Sequence, residues 1–416
     1  MSERPFPYSR LLIWAVAIGI VGGFVSTTYY FVLKFGFNLL WNTLPYRVDL
    51  KPEDDLRYYV WIITIIGGLL VGLSVHYLGA SGGMDVVVDE IHTSGRIDYR
   101  QLPGMIVASL LSLIFGSSAG PEAPLLDISG GLASWLGDRL KLPTATIRLL
   151  TFCGMSAAAG AFFDSPLGGA VFVLEVPHRR GLEYYEGIIP SLISATLGFS
   201  IFRFMTGLTI GGLFKFPPFP ELQSFDLIFA ALLGAVGAAV AIAFMVLFQA
   251  VGHFTQPLAH RPILLITLGG LAIGLIAAFL PQTLFYGEQQ IQTIIDTGHN
   301  LGVGFLLLIV LGKMLALSIC LKTGFRGGFL FPLFFIGAVV GMAVSLIVPQ
   351  ISTTVCMVCM MAAVSVAVMK TPVGLVIIIT AISHTSMMPL IVTATLVSYL
   401  LTTQASLIKT QRARVL

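Results

Sequence analysis

Glu122 stands among glycines and prolines in GSSAGPEAPLLDI, residues 116–128, and a run of similar cast, GFRGGFLFPLFFI, occupies 324–336. Each has the form of a glycine loop opening a helix. Glycine allows close backbone approach, and the first helical turn leaves N–H groups without internal partners. Such groups ligate anions, because a helix start carries a partial charge of roughly +0.5 and several fixed donors. Two converging starts could replace a hydration shell whose loss in hydrocarbon costs roughly tens of kcal/mol on a Born estimate. They would do so without a full positive charge to trap the ion. That chemistry is permeation. A third glycine cluster, Gly79-Ala80-Ser81-Gly82-Gly83, precedes Met84 and the short segment Asp85 to Ile91. The Ser81 hydroxyl could donate to an anion from the opposite side. The bland readings are a turn serine that caps the next helix and a first-turn Glu122 that merely complements the helix dipole.

The elements that hold these positions must lie in a membrane. The chain has 416 residues, of which 56% are hydrophobic and only 10% charged, and its mean hydropathy is +0.93; soluble proteins carry about 25% charged residues. A polytopic integral membrane protein follows. The net charge of +3 is too small and too spread out for a nucleic-acid surface, so no such partner is expected. Cys153, Cys320, Cys356 and Cys359 all lie in apolar stretches, where a thiol behaves as a small hydrophobe. No disulfide scaffold is expected, and the C-x-x-C of Cys356 and Cys359 reads as packing rather than metal or redox chemistry.

Between Arg10 and Lys34 there is no charge, and about 20 apolar residues suffice to cross a bilayer. This first segment is too long for a signal-peptide core and no small-residue cleavage site follows it, so it is expected to be retained. Similar stretches follow Arg57, Arg148, Asp226, Arg261, Arg326 and Lys370. Those at 327–369 and 371–408 exceed one span each and must fold back. Their glycines and prolines predict broken or re-entrant helices, tolerated in lipid only where protein buries the irregular backbone. Basic clusters near both ends and in the loops predict cytoplasmic termini.

Internal repetition ties these features together. Gly116, Gly120, Pro124 and Ile128 recur as Gly324, Gly328, Pro332 and Ile336, displaced by 208; Cys153, Met155, Ala157, Ala161, Pro166 and Gly168 recur as Cys359, Met361, Ala363, Ala367, Pro372 and Gly374, displaced by 206. A duplicated unit is the consequence. Gly/Pro-interrupted apolar segments at matching places in two halves point to a midplane binding site. The predicted architecture is all-α, with two inverted halves at 10–205 and 224–402 in one transmembrane domain and a short basic tail at 403–416.

These motifs resemble those of the CLC chloride channel and transporter family. The family's Gly-Arg/Lys-Glu-Gly-Pro signature appears as Gly120-Pro121-Glu122-Ala123-Pro124, its Gly-x-Phe-x-Pro as Gly328-Phe329-Leu330-Phe331-Pro332, and its Gly-Ser-Gly-Ile-Pro loosely as Ala80-Ser81-Gly82-Gly83-Met84. The resemblance covers nearly the whole chain. It implies a homodimer with one anion pathway per subunit, no enzyme activity and no cofactor. It gives Ser81 and the amides of Phe329 and Leu330 the central anion, most readily chloride, with Gly120 in the same site. Glu122 becomes the gating carboxylate, which carries the proton in exchangers.

Three departures bear on mechanism. Pro121 replaces the usual basic residue, a loss that Lys322 and Arg326 beside the partner loop could offset, unless they are solvated loop charges. Val176 stands where many exchangers of the family have an acid that relays protons inward, with Glu175 just before it. The family's anion-contacting tyrosine has no clear match, Tyr399 and Gln404 being nearest. Transport mode, channel or proton-coupled exchanger, is therefore open, and a fluoride- or nitrate-preferring transporter is the alternative within the family. A rival from another class is a rhomboid-like intramembrane serine protease, since Gly79-Ala80-Ser81-Gly82 satisfies G-x-S-G. Such an enzyme needs a histidine base, for which only His384 sits deep in a late apolar stretch, and it leaves the duplicated loops unexplained.

Overall fold

The computed structural model describes residues 7–47, 57–79, 82–181, 185–208, 212–219, 222–383 and 386–413. Its helices fall into two series of eight. The first runs Tyr8–Arg47 (with a π-helical turn at Asn38–Thr43), Arg57–Leu78, Met84–Thr93, Leu102–Ile114, Glu122–Arg139, Thr144–Phe162, Pro166–Glu175 and Ile188–Thr206. The second runs Ser224–Thr255, Pro262–Phe279, Glu288–Thr297, Val303–Thr323, Leu330–Ile347, Thr353–Met369, Pro372–Ser383 and Met388–Leu401. The order corresponds member by member, as the sequence repeat requires, and the third and fifth pairs match in length, whereas Leu102–Ile114 is shorter than its counterpart Val303–Thr323. Among the described residues eight helices are long and apolar enough to cross a membrane. Several others, such as Pro166–Glu175 and Pro372–Ser383, are apolar but too short to span. The two overlong stretches fold back as expected, each into a pair of helices.

Burial separates the layers. Of the most apolar stretch of Leu330–Ile347, 83% is buried, and of Thr144–Phe162, 78%, against 39% for peripheral helices such as Arg57–Leu78 and Pro262–Phe279. Both layers are apolar, the inner helices facing protein on nearly every side and the outer ones facing lipid on part of their surface. Lipid is as apolar as leucine, so contact rather than water exclusion must hold the helices together. Glycine supplies that contact where Arg57–Leu78 meets Pro262–Phe279: a Cβ on Gly270 would stand 2.2 Å from the Thr64 carbonyl oxygen, and one on Gly68 2.7 Å from that of Ile266. Any side chain there would push the two backbones apart.

All four cysteines are buried and free, which agrees with their reading as packing residues. The only strand pairing described is parallel, between His178–Arg180 and Arg412–Ala413. It brings the C-terminal segment back against the body of the protein.

Candidate functional site

The two glycine loops meet. Gly120 N–H donates to the Gly328 carbonyl at 2.9 Å and Gly328 N–H donates to that of Gly120 at 2.7 Å, an isolated antiparallel bridge between equivalent positions of the repeat. Each loop begins from a left-handed glycine, Gly116 at φ +92° and Gly324 at φ +111°, a conformation that side chains with a Cβ rarely adopt. Each ends in a helix whose third residue is proline, Pro124 or Pro332. Proline is free of cost there, since N–H groups of the first turn have no intrahelical acceptor.

Glu122 is the first residue of one helix and Leu330 the first of the other. The Leu330 N–H donates to Glu122 Oε1 at 2.6 Å, a short charge-assisted geometry. Oε2 is buried without a hydrogen bond of good geometry, although the amides of Glu122 and Phe331 also act on the carboxylate. The carboxylate fits only because both bridging residues are glycines: a Cβ on Gly120 would lie 1.9 Å from Oε2, and one on Gly328 2.3 Å from Oε1. A side-chain anion from the first half therefore occupies the helix start of the second.

A cavity lies on either side of this plug. One, of about 320 Å³, is lined by Ala123, Pro124, Gly327 and Phe329 together with Asp85, Asp127, Lys322, Arg326 and Lys409. The other, of about 420 Å³, is lined by Tyr30, Lys34, Trp41, Phe162, Tyr286 and Glu288. Its inner wall reaches Phe331, whose ring lies 6.2 Å from Phe162 and 5.6 Å from Tyr286. The cavities are themselves repeat-related, since the short helices that open them begin at Met84 and Glu288.

The remaining expected site residues are scattered. Ser81 and His384 lie outside the described residues. Phe329 is the N-cap of its helix, with its ring 5.5 Å from that of Phe248. Glu175 caps the opposed helix of the repeat, accepting from Val373 N–H at 3.1 Å and Gly374 N–H at 2.7 Å. Val176 is fully buried, and its carbonyl accepts from Gln411 Nε2 at 2.8 Å. The Tyr399 hydroxyl donates to the Arg179 carbonyl at 3.0 Å, and Gln404 is exposed beyond the last helix. Neither of these lines the cavities beside Glu122. Lys322 and Arg326 line the first cavity rather than standing as isolated loop charges.

Sequence reading passed over five buried charges, Asp127 in the wall of the first cavity and four others. Asp164 and Lys370, displaced by 206, are both left-handed, at φ +53° and +61°. Asp164 pairs with Arg203 at 2.6 Å, whereas Lys370 Nζ donates to the Thr402 carbonyl and hydroxyl, at 2.5 and 2.9 Å. Lys313, wholly buried, donates to the carbonyls of Thr283 and Phe285. The Thr283 carbonyl also accepts from Ser118, in the loop that bears Gly120. Lys313 in the middle of an apolar run was the available signal, because an intramembrane charge marks function or a fixed partner. Lys313→Met is expected to leave the Phe285 carbonyl without its donor, costing about 1–3 kcal/mol. Thermal unfolding in detergent checks this, and an unchanged midpoint would show that Lys313 is not a clamp.

Paired helix starts meeting at the centre of a duplicated, all-α body define a polytopic membrane transport protein. The sequence model of the voltage gated chloride channel family matches residues 67–403, and the chain belongs to that family, the CLC proteins. It is similar to proteins named as ion-transport protein YfeO: the one from Escherichia coli (strain K12 / DH10B) is 26% identical over 397 residues, covering 93% of this chain and 91% of that one. The one from Shigella boydii serotype 4 (strain Sb227) is 26% identical over 394 residues. Two solved structures share the fold. A CLC-type fluoride/proton antiporter superposes with a TM-score of 0.81 at 20% identity, covering 99% of this chain and all of that one. A slow cyanobacterial Cl-/H+ antiporter gives 0.82 at 20% identity, covering 96% and 95%.

Proposed function

We propose that this chain carries inorganic anions, chloride foremost, across a membrane through the two cavities, with Glu122 as the gate. The observation that carries this reading is the Glu122 carboxylate on the Leu330 amide at 2.6 Å. A negative group already occupies the donors that an anion would need. The amides of Phe329 and Leu330, with Gly120 and Gly328 giving room, then form the central site, to which the sequence motif assigns Ser81 as well. The two halves at 10–205 and 224–402 are inverted copies. Two such chains form a homodimer with one pathway each, an assignment that rests on the family.

The cavity lined by Lys322 and Lys409 faces the cytoplasm in this reading. Arg179, Arg180 and Arg412 gather at the same end through the strand pairing, and basic residues favour the inner side. Tyr8 lies at the far end of its helix from Trp41, which lines the other cavity. Both termini are then cytoplasmic.

Proton coupling is absent or weak. Val176 carries no titratable group, its carbonyl is sealed by Gln411, and both oxygens of Glu175 are engaged as a helix cap. Proteoliposomes with simultaneous chloride and proton recording test this. The reversal potential is expected to ignore an imposed proton gradient, and a fixed stoichiometry of protons against chloride, insensitive to Glu175→Gln, would overturn it. The same vesicles, given chloride, nitrate and fluoride in turn, rank the anions.

A further inference from the structure

The cavity of about 420 Å³ ends on a firmly held loop. Lys313 donates to the carbonyls of Thr283 and Phe285, and Gln290 Nε2 donates back to that of Leu284 at 3.4 Å. Gly287 turns the chain at φ +106°, where a Cβ would stand 2.9 Å from that of Phe335. Tyr286 and Glu288 flank this glycine, and both line the cavity. The Tyr286 hydroxyl donates to Glu288 Oε2 at 2.8 Å. A phenol has one hydrogen, so Tyr286 presents only oxygen lone pairs to its other neighbours. Its ring lies 5.6 Å from that of Phe331, whose amide acts on the Glu122 carboxylate, and Tyr286 is itself within electrostatic reach of Glu122. A second carboxylate thus stands one tyrosine removed from the plug.

The charges around the pair do not cancel it. Arg203 faces both Glu288 and Tyr30, but its guanidinium is already matched by Asp164 at 2.6 Å. Lys34 lines the same cavity with its ammonium 5.8 Å from the centre of the Tyr30 ring; it is exposed, where water and salt screen it. Tyr29, which also faces Glu122, donates its hydroxyl to Ser109 at 2.9 Å. We infer that Glu288, held in place by Tyr286, is a second acid of the gate: its negative charge favours the protonated form of Glu122 and so sets the pH at which the plug lets go. Like charges in one poorly hydrated site oppose each other's ionisation. Two carboxylates coupled in this way take up their protons in separated steps. Flux through the native protein should therefore rise with falling pH over a wider range than one titrating group allows.

The role of Glu288 rests on Glu122 being the gate, and the two are tested so that they can fail separately. Chloride flux in proteoliposomes, with equal pH on both sides, is measured from about pH 4 to 8 for native protein, Glu288→Gln, Glu288→Asp, Glu122→Gln and Glu122→Gln/Glu288→Gln. Each curve is scaled to its own maximum, and chloride binding to the same proteins in detergent is followed by calorimetry over the same range. Glu288→Gln is expected to move the midpoint of both curves down by about half a unit to one unit and to steepen them. Glu288→Asp, which keeps the charge, should stay close to native. In the Glu122→Gln background the Glu288 substitution should move nothing. A native midpoint in Glu288→Gln, beside a lost pH response in Glu122→Gln, would keep the gate and overturn the role of Glu288. So would a shift as large in Glu288→Asp as in Glu288→Gln, or one that persists without the Glu122 carboxylate. A shifted binding curve without flux in any of the proteins would uphold Glu288 and reject the transport reading.

Discussion

Glu122→Gln protein is expected to pass chloride at pH 7.5 as fast as native protein does at pH 4.5, and to show no further rise on acidification. In the native chain the carboxylate holds the Leu330 amide at 2.6 Å in a cradle that only two glycines leave open. On the proposed reading, side chain and ion compete for one set of donors. Protonation removes the negative charge that the helix start favours and releases them to the ion. Neutral hydrogen bonds are about half as strong as charge-assisted ones, and the latter contribute about 1.5–3 kcal/mol. Neutralising Glu122 therefore shifts the closed state by about 0.75–1.5 kcal/mol, roughly three- to tenfold in flux. Efflux from liposomes at the two pH values makes the measurement. Under the competing reading Glu122 only complements the helix dipole, and its removal costs about 0.3–1 kcal/mol of stability with transport untouched. A Glu122→Gln protein that keeps the native pH response would establish that reading and end the gating assignment.

The loops and their meeting were legible because they depend on residue types with few substitutes. Gly116 and Gly324 had to be glycine for their positive φ, and Gly120 and Gly328 for the space Glu122 occupies. The offset of 208 marked the two loops as copies, and the hydrogen bond between Glu122 and Leu330, themselves 208 apart, is what the structure adds. The inner side was not legible. Tyr399 and Gln404 were nearest by counting, but counting does not show that the chain turns after Leu401 and returns beneath the helix starts. That return is fixed by single bonds to main-chain carbonyls, such as those of Gln411 to Val176 and Met369, and carbonyls leave no mark in a sequence. Asp164, Arg203 and Lys370 were hidden for a related reason. Each looked like a loop or helix-end charge until the fold enclosed it.

Removing one member of the buried pair should be the most destabilising change in the chain. Asp164 and Arg203 are both buried, with Oδ1 and the guanidinium 2.6 Å apart. Two charges out of water gain little as a pair, yet a survivor left alone carries its desolvation cost uncompensated, about 3–5 kcal/mol. Arg203→Met is expected to lose that much, read as a lower midpoint of thermal or denaturant unfolding in detergent. Asp164→Asn in the same background should recover most of the loss, because the carboxylate that Arg203 had balanced is then neutral. Equal damage from the double variant would mean that Asp164 is held chiefly by its left-handed backbone and not by Arg203.

The Gly120–Gly328 bridge joins equivalent positions, and so does the Glu122–Leu330 hydrogen bond. Two identical half-chains assembled about the same axis would carry the same residue at both places. They would present either two carboxylates disputing one space or two open helix starts with nothing to close them. A stopper that belongs to one side only cannot be built from equal partners. Joining the halves covalently let position 122 and position 330 diverge, one becoming the acid and the other the socket that receives it. Difference in sequence between the joined halves is thus the condition for seating one half's acid in the other, and Asp164 and Lys370, opposite in charge at equivalent left-handed positions, use the same freedom.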